Sequence, residues 1–188
     1  MSITDKQIKK IEAFALHKYR NLDYPHNVNH AYRSVKLAIF LAKQEGANIL
    51  ICKLASLLHQ YHPEESQKVE KFLQSIGLKK GLREQIVHCV ESVARSTVHK
   101  AMTLEAKVVF DADKLQIIGP FGLVREVSHR IMTKKINFHT AVKETKELQE
   151  DIYTRLQTKT AKKLAAKPHK FTQKFFKIFE KWDKVDFN

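Results

Sequence analysis

The sequence predicts an all-α protein folded as a single domain. Three observations carry that prediction. Apolar residues recur at helical spacing along most of the chain, and no segment alternates at period two in the manner of a strand. Glycine (5) and proline (4), the residues that interrupt helices, are scarce. The 188 residues suit one domain with a sizeable core, and the hydrophobic share of 43% is ordinary for a globular chain.

A first helix is expected over 4–20, carrying Ile8, Ile11, Phe14 and Ala15. A turn over 21–27 contains Pro25, and a second helix spans 28–44 with Val28, Ala31, Tyr32, Val35, Ala38, Ile39 and Ala42 on its apolar face. Gly46 ends it. The stretch 48–59 is apolar on all sides, the pattern of a helix buried within the domain. Pro63 stops it, and helices over 64–76 and 82–95 follow. Thr103 is placed to cap a helix running to Ile118. Gly119-Pro120-Phe121-Gly122 breaks the chain ahead of a short helix over 122–132. A long helix is expected over 140–166, interrupted by Pro168, and a last helix sets Phe171, Phe175, Ile178, Phe179 and Trp182 on one stripe. That spacing reads as core packing, with the helices beyond 140 closing on the rest of a domain spanning 1–188.

The net charge of +14 is the largest compositional deviation. It favours anionic partners: nucleotides, nucleic acid, acidic proteins or an anionic membrane surface. The lysines are spread at helical spacing, so a solvated coat is the expected role, with nucleic-acid binding as its alternative. No run of about 20 apolar residues suggests a membrane span. The first ten residues lack the apolar core of a signal peptide, and Cys52 and Cys89 lie in apolar helical contexts, as reduced core thiols do. A cytoplasmic location is expected.

Two polar side chains, His59 and Gln60, close the buried central helix. A helix C-terminus favours positive charge there, whether an imidazolium or a metal ion. Asp113 shares a helical stripe with Ala106, Val109, Phe110 and Ile117, which turns its carboxylate toward the core and demands a cation beside it. An ordinary buried ion pair meets that demand as well as a metal does. Asp111 falls on a more polar flank near Lys107 and Lys114. His30 opens the second helix. Two imidazoles and a carboxylate suit divalent Mn, Fe, Zn or similar ions.

These residues stand in motifs. His30-Ala31-Tyr32-Arg33 is an H-x-x-R segment, and Ala55-Ser56-Leu57-Leu58-His59-Gln60 closes a buried helix on a His-led pair. Ala112-Asp113-Lys114-Leu115 is an A-D-[RK]-L segment, followed by Ile118-Gly119-Pro120-Phe121-Gly122 and Arg125. In this combination the chain resembles the HD-domain superfamily of metal-dependent phosphohydrolases, in particular a small bacterial subgroup that includes nucleotide pyrophosphohydrolases. The resemblance covers roughly residues 10–183. It implies an HD-type helical bundle, metal ligands at His30, His59 and Asp113, and a fourth ligand at position 60. It also implies a divalent cofactor among Mn, Fe, Mg, Zn and Ni, with Arg33, Lys114 and Arg125 as phosphate ligands.

Several positions depart from the pattern. Gln60 stands where the family has Asp, Asn27 where the subgroup has Asp, and Tyr61-His62-Pro63 where it has Ile-Gly. Its His-rich segment is here Val93-Ala94-Arg95-Ser96, flanked by His88 and His99. A Gln at position 60 removes one negative charge from the ligand set, which weakens divalent binding. The expectation is a phosphohydrolase-like protein with a degenerate metal site and weak or absent hydrolysis, binding a nucleotide or other phosphorylated small molecule. The alternatives are an active phosphohydrolase and a basic interaction module.

Overall fold

The protein, described by a computed structural model over residues 3–20 and 22–185, is helical, and no strand occurs among these residues. Asn21, expected in the first turn, lies outside the described residues. The chain divides into two compact units, one ending at Asp113 and one beginning at Lys114.

The first unit is built from α1 (Asp5–Arg20), α2 (Val28–Glu45), α3 (Ile49–Leu58), α4 (Ser66–Ser75), α5 (Lys80–Glu91) and α6 (Leu104–Lys114), whose last residue opens the second unit. Asn27 caps α2, its side chain accepting from the Asn29 N–H at 2.9 Å. Gly46 ends α2 in the left-handed region (φ 78°), where a residue without Cβ is unstrained. Asn48 starts α3 by accepting from Leu50 N and Ile51 N. From Ile51 to Leu58 only Lys53 escapes full burial. α2 and α5 cover α3, and α1 packs on it as well, giving a core of Ile11, Leu41, Leu54, Leu58, Ile86 and Phe110. Burying a Leu or Ile side chain contributes about 1.5–3 kcal/mol. Cys52 and Cys89 are buried free thiols, and burial pushes both up, Cys52 to about 12, so neither is ionised near neutral pH.

The second unit holds a 3₁₀ turn (Leu115–Ile117), α7 (Gly119–Met132), α8 (Phe138–Arg155) and α9 (Lys159–Lys184). α7 begins at Gly119, three residues ahead of expectation, because Pro120 occupies the first turn, where a missing N–H costs nothing. Gln149 donates to the carbonyls of Ile117 and Gly119, tying α8 to the start of α7.

Several expected boundaries are corrected. The helix from Thr103 is capped as expected, Ala106 N donating to Thr103 Oγ1, but the α-helical turns end at Lys114 and the 3₁₀ turn completes the segment. The long helix over 140–166 is two helices. Thr158 breaks it by capping α9, accepting from Ala161 N at 3.2 Å. Pro168 does not interrupt: α9 runs through it. Asp111, expected on a polar flank, is fully buried, and Tyr32, expected on the apolar face of α2, is half exposed.

The aromatic stripe is also corrected. The buried face of α9 is Ala161, Ala165, His169, Thr172 and Phe176. Phe179 packs beside Leu123, Val142 and Phe176, whereas Phe171, Phe175, Ile178 and Trp182 are exposed. The two sets are offset around the helix, so one spacing served two faces. No helix among the described residues is long and apolar enough to cross a membrane.

Gly119 (φ 81°) lies close against α9, since a Cβ there would lie 2.6 Å from Pro168 Cβ. Strain and overlap together make Gly119→Ala lose about 2–4 kcal/mol, read as a lowered urea midpoint. A variant as stable as the parent would show that this approach relaxes freely.

Candidate metal centre

The centre assembles inside the first unit, from three helices. The Asn27 cap fixes where α2 starts and so holds His30 in its first turn. His59 follows the last turn of α3, where the backbone tightens into a 3₁₀ segment, His59–Tyr61. Asp113 sits in the last turn of α6. Their fractional exposures are 1%, 1% and 7%.

His30 Nε2 lies 3.0 Å from His59 Nε2. Asp113 Oδ1 lies 3.3 Å from the first and 3.6 Å from the second. A divalent ion bonded at about 2.0–2.2 Å to three ligands, at angles between right and tetrahedral, requires ligand–ligand edges of about 2.8–3.6 Å. All three edges fall in that range, and the donor set of two imidazoles and one carboxylate suits such an ion. The residues present fit a divalent cation.

A further set of groups orients His59. Its Nδ1 is 2.7 Å from the Ser56 carbonyl, which can only accept, so Nδ1 carries the proton and donates. In the neutral ring Nε2 then presents its lone pair toward His30 and Asp113. The Tyr19 hydroxyl stands 3.0 Å from the same Nδ1. Burial, and secondarily the charge of Asp113, hold that phenol well above its ordinary range, so it stays protonated. Sequence reasoning missed Tyr19. Its spacing from Ile11 and Ala15 marks it as buried, but nothing in the sequence marks its polar partner.

Gln60 is 9% exposed, and its Nε2 is 3.2 Å from His62 Nε2, donating to the ring nitrogen. His62 adopts φ 53° and ψ 173°, a conformation that suits glycine and strains other residues. The same position is glycine in the family pattern that the sequence resembles. Here the strained backbone brings an imidazole against Gln60.

The remaining sequence-selected residues are placed differently. Arg33 lies one turn beyond His30 on α2, partly buried. Lys114 directly follows Asp113. Arg125, in the second unit, is buried and donates to Glu126 Oε1 from Nε (3.4 Å) and Nη2 (3.1 Å). Glu126 Oε2 accepts from Arg130, whose Nε donates to Glu144. Arg125 is thus a member of an ion-pair chain within α7 and α8 that is buried up to its half-exposed end at Glu144.

The helical fold that brings these three residues together is shared with several solved structures. An HD-superfamily hydrolase from Bacillus thuringiensis shares this fold, with a TM-score of 0.73 and 24% identity over 95% of this chain and 97% of that one. The chain is also similar to YpgQ of Bacillus subtilis (strain 168), 24% identical over 94% of this chain and 93% of that protein. The crystal structure of YpgQ in complex with ADP superposes with a TM-score of 0.76. A structure from Lactobacillus plantarum gives a TM-score of 0.81 at 25% identity, covering 98% of this chain and all of that one. No protein-family model matches the chain. The resemblance to the HD superfamily that the sequence motifs suggest thus extends to the fold.

The strain at His62 has a measurable signature. His62→Gly should be more stable than His62→Ala by about 1–2 kcal/mol, the reverse of the usual order. Denaturation of the two variants checks this, and an Ala variant equal to or above Gly would show that the turn carries no strain.

Proposed function

We propose that this protein is a phosphohydrolase-like HD domain with a weakened metal centre, which binds a nucleotide or another phosphorylated small molecule and hydrolyses it slowly or not at all. The observation that carries this reading is the ligand triangle of His30, His59 and Asp113 with a neutral Gln60 beside it. The fold shared with YpgQ, which was crystallised with ADP, supports a nucleotide as ligand.

In this reading His30, His59 and Asp113 hold a divalent ion, with Gln60 as a fourth position. Such an ion supplies Lewis-acid stabilisation of charge on a phosphoryl group. The Ser56 carbonyl keeps the proton on His59 Nδ1 and frees Nε2 as a ligand. Gln60 contributes no charge, and its amide nitrogen is engaged by His62, leaving the amide oxygen as its only donor to a cation. The ligand set therefore carries one negative charge, from Asp113, where an Asp at position 60 would make two. Arg33 is the phosphate ligand within the first unit. On the family resemblance Lys114 and Arg125, of the second unit, are proposed as phosphate ligands too, with Arg125 already bonded to Glu126.

Mn²⁺ should raise the thermal midpoint of the protein and leave His59→Ala unmoved. An equal rise in both would place the ion elsewhere. Gln60→Asp should tighten Mn²⁺ binding about tenfold or more, equivalent to about 1.4 kcal/mol, measured by calorimetric titration. Unchanged affinity would mean that the charge at position 60 is not what limits binding. Arg33→Ala should weaken ADP binding by about 1.5–3 kcal/mol, the worth of a charge-assisted hydrogen bond. Retained affinity would remove Arg33 from the phosphate site.

A further inference from the structure

α9 carries a second surface that the metal centre does not use. Leu164 (42% exposed), Phe171 (56%), Phe175 (37%), Ile178 (48%) and Trp182 (68%) face outward along it. At about 100° per residue they fall on one narrow stripe, and at about 1.5 Å per residue it runs roughly 27 Å. Phe171, Phe175, Ile178 and Trp182 line a shallow groove along it with Lys174. Isolated exposed apolar residues are ordinary, but a continuous aromatic stripe marks a surface that meets something apolar.

The flank of the stripe away from the packed face is lysine. Lys163, Lys167, Lys170, Lys174, Lys177 and Lys181 recur at steps of four and three and are all exposed. The two acidic residues of the helix are turned to other work: Glu180 pairs with Lys146 and Asp183 lies 3.4 Å from His139. Lysine stems can lie along an apolar surface while their ammonium groups reach anionic headgroups.

We propose that this face of α9 docks on an anionic lipid surface, lying in the plane of the interface with the aromatic stripe inserted and the lysine row on the headgroups. Charge complementarity selects this occupant. A second copy of the chain would bring a further net charge of +14 to a face already flanked by lysines. Single-stranded nucleic acid would satisfy the lysines, but Ile178 and Leu164 offer no ring on which a base could stack. A helix with a lysine-rich polar face beside Phe, Ile and Trp is the composition of interfacial helices.

Trp182 is the sole tryptophan and sits in the stripe, so its fluorescence reports insertion directly. The full-length protein should sediment with phosphatidylcholine/phosphatidylglycerol vesicles and not with phosphatidylcholine alone, with a blue shift of Trp182 emission. Lys174→Glu/Lys181→Glu should reduce retention about tenfold or more. Phe175→Ser/Ile178→Ser, at exposed positions that leave the helical circular dichroism unchanged, should abolish the shift. Four results would overturn the proposal. One is no sedimentation with anionic vesicles. Another is retention unchanged in Phe175→Ser/Ile178→Ser, the behaviour of a bare charge coat. A third is a concentration-dependent dimer, formed without vesicles and lost in that variant, which assigns the stripe to a second copy. The last is the same Trp182 shift on a single-stranded oligonucleotide that competes with vesicles, which assigns it to nucleic acid.

Discussion

The first unit is organised around a carboxylate that has to be accommodated. Asp113, at the end of α6, is buried and meets two imidazoles within 3.6 Å. A carboxylate in such a place is stable in its ionised form only beside positive charge. The surrounding groups are arranged as if for one cation shared among three ligands. The Asn27 cap sets His30, the tightened end of α3 sets His59, and the Ser56 carbonyl sets the proton on the second imidazole. Each is a backbone decision made outside the centre.

Against that frame, position 60 stands out as a change of charge more than of shape. Gln60 stays almost as buried as His30, His59 and Asp113 but contributes no charge, and the strained turn at His62 ties its amide to a third imidazole. A turn whose geometry suits glycine holds histidine at a cost of order 1–3 kcal/mol. The hydrogen bond to Gln60 is the visible return for that cost, so positions 60 and 62 are best understood together.

Much of the fold was legible because helices announce themselves locally. The apolar run of α3, the Gly46 stop and the Thr103 cap all stand where the sequence sets them. The failures share a cause. Thr158 does not read as a cap because the apolar period continues across it, and Pro168 reads as a break because its missing N–H is disfavoured within a helix, yet α9 runs through it. Phe171, Phe175 and Trp182 read as core from the sequence because periodicity shows that a face is apolar without showing what it faces. The candidate site was legible in a different sense. His30, His59 and Asp113 could be named from motif resemblance and from a carboxylate on an apolar stripe, but their separations depend on how three helices pack. Tyr19 is legible as a buried residue but not as a partner of His59, and the Ser56 carbonyl is not legible at all, since a backbone acceptor leaves no trace in residue identity.

The central claim is that His30, His59 and Asp113 jointly hold one divalent cation. Anomalous diffraction from crystals grown with Mn²⁺ tests it most directly. The account predicts a single strong peak within bonding distance of His30 Nε2, His59 Nε2 and Asp113 Oδ1. An empty position there at saturating Mn²⁺, with the two imidazoles still in contact at about hydrogen-bond length, would contradict it and leave Asp113 as one half of a buried ion pair.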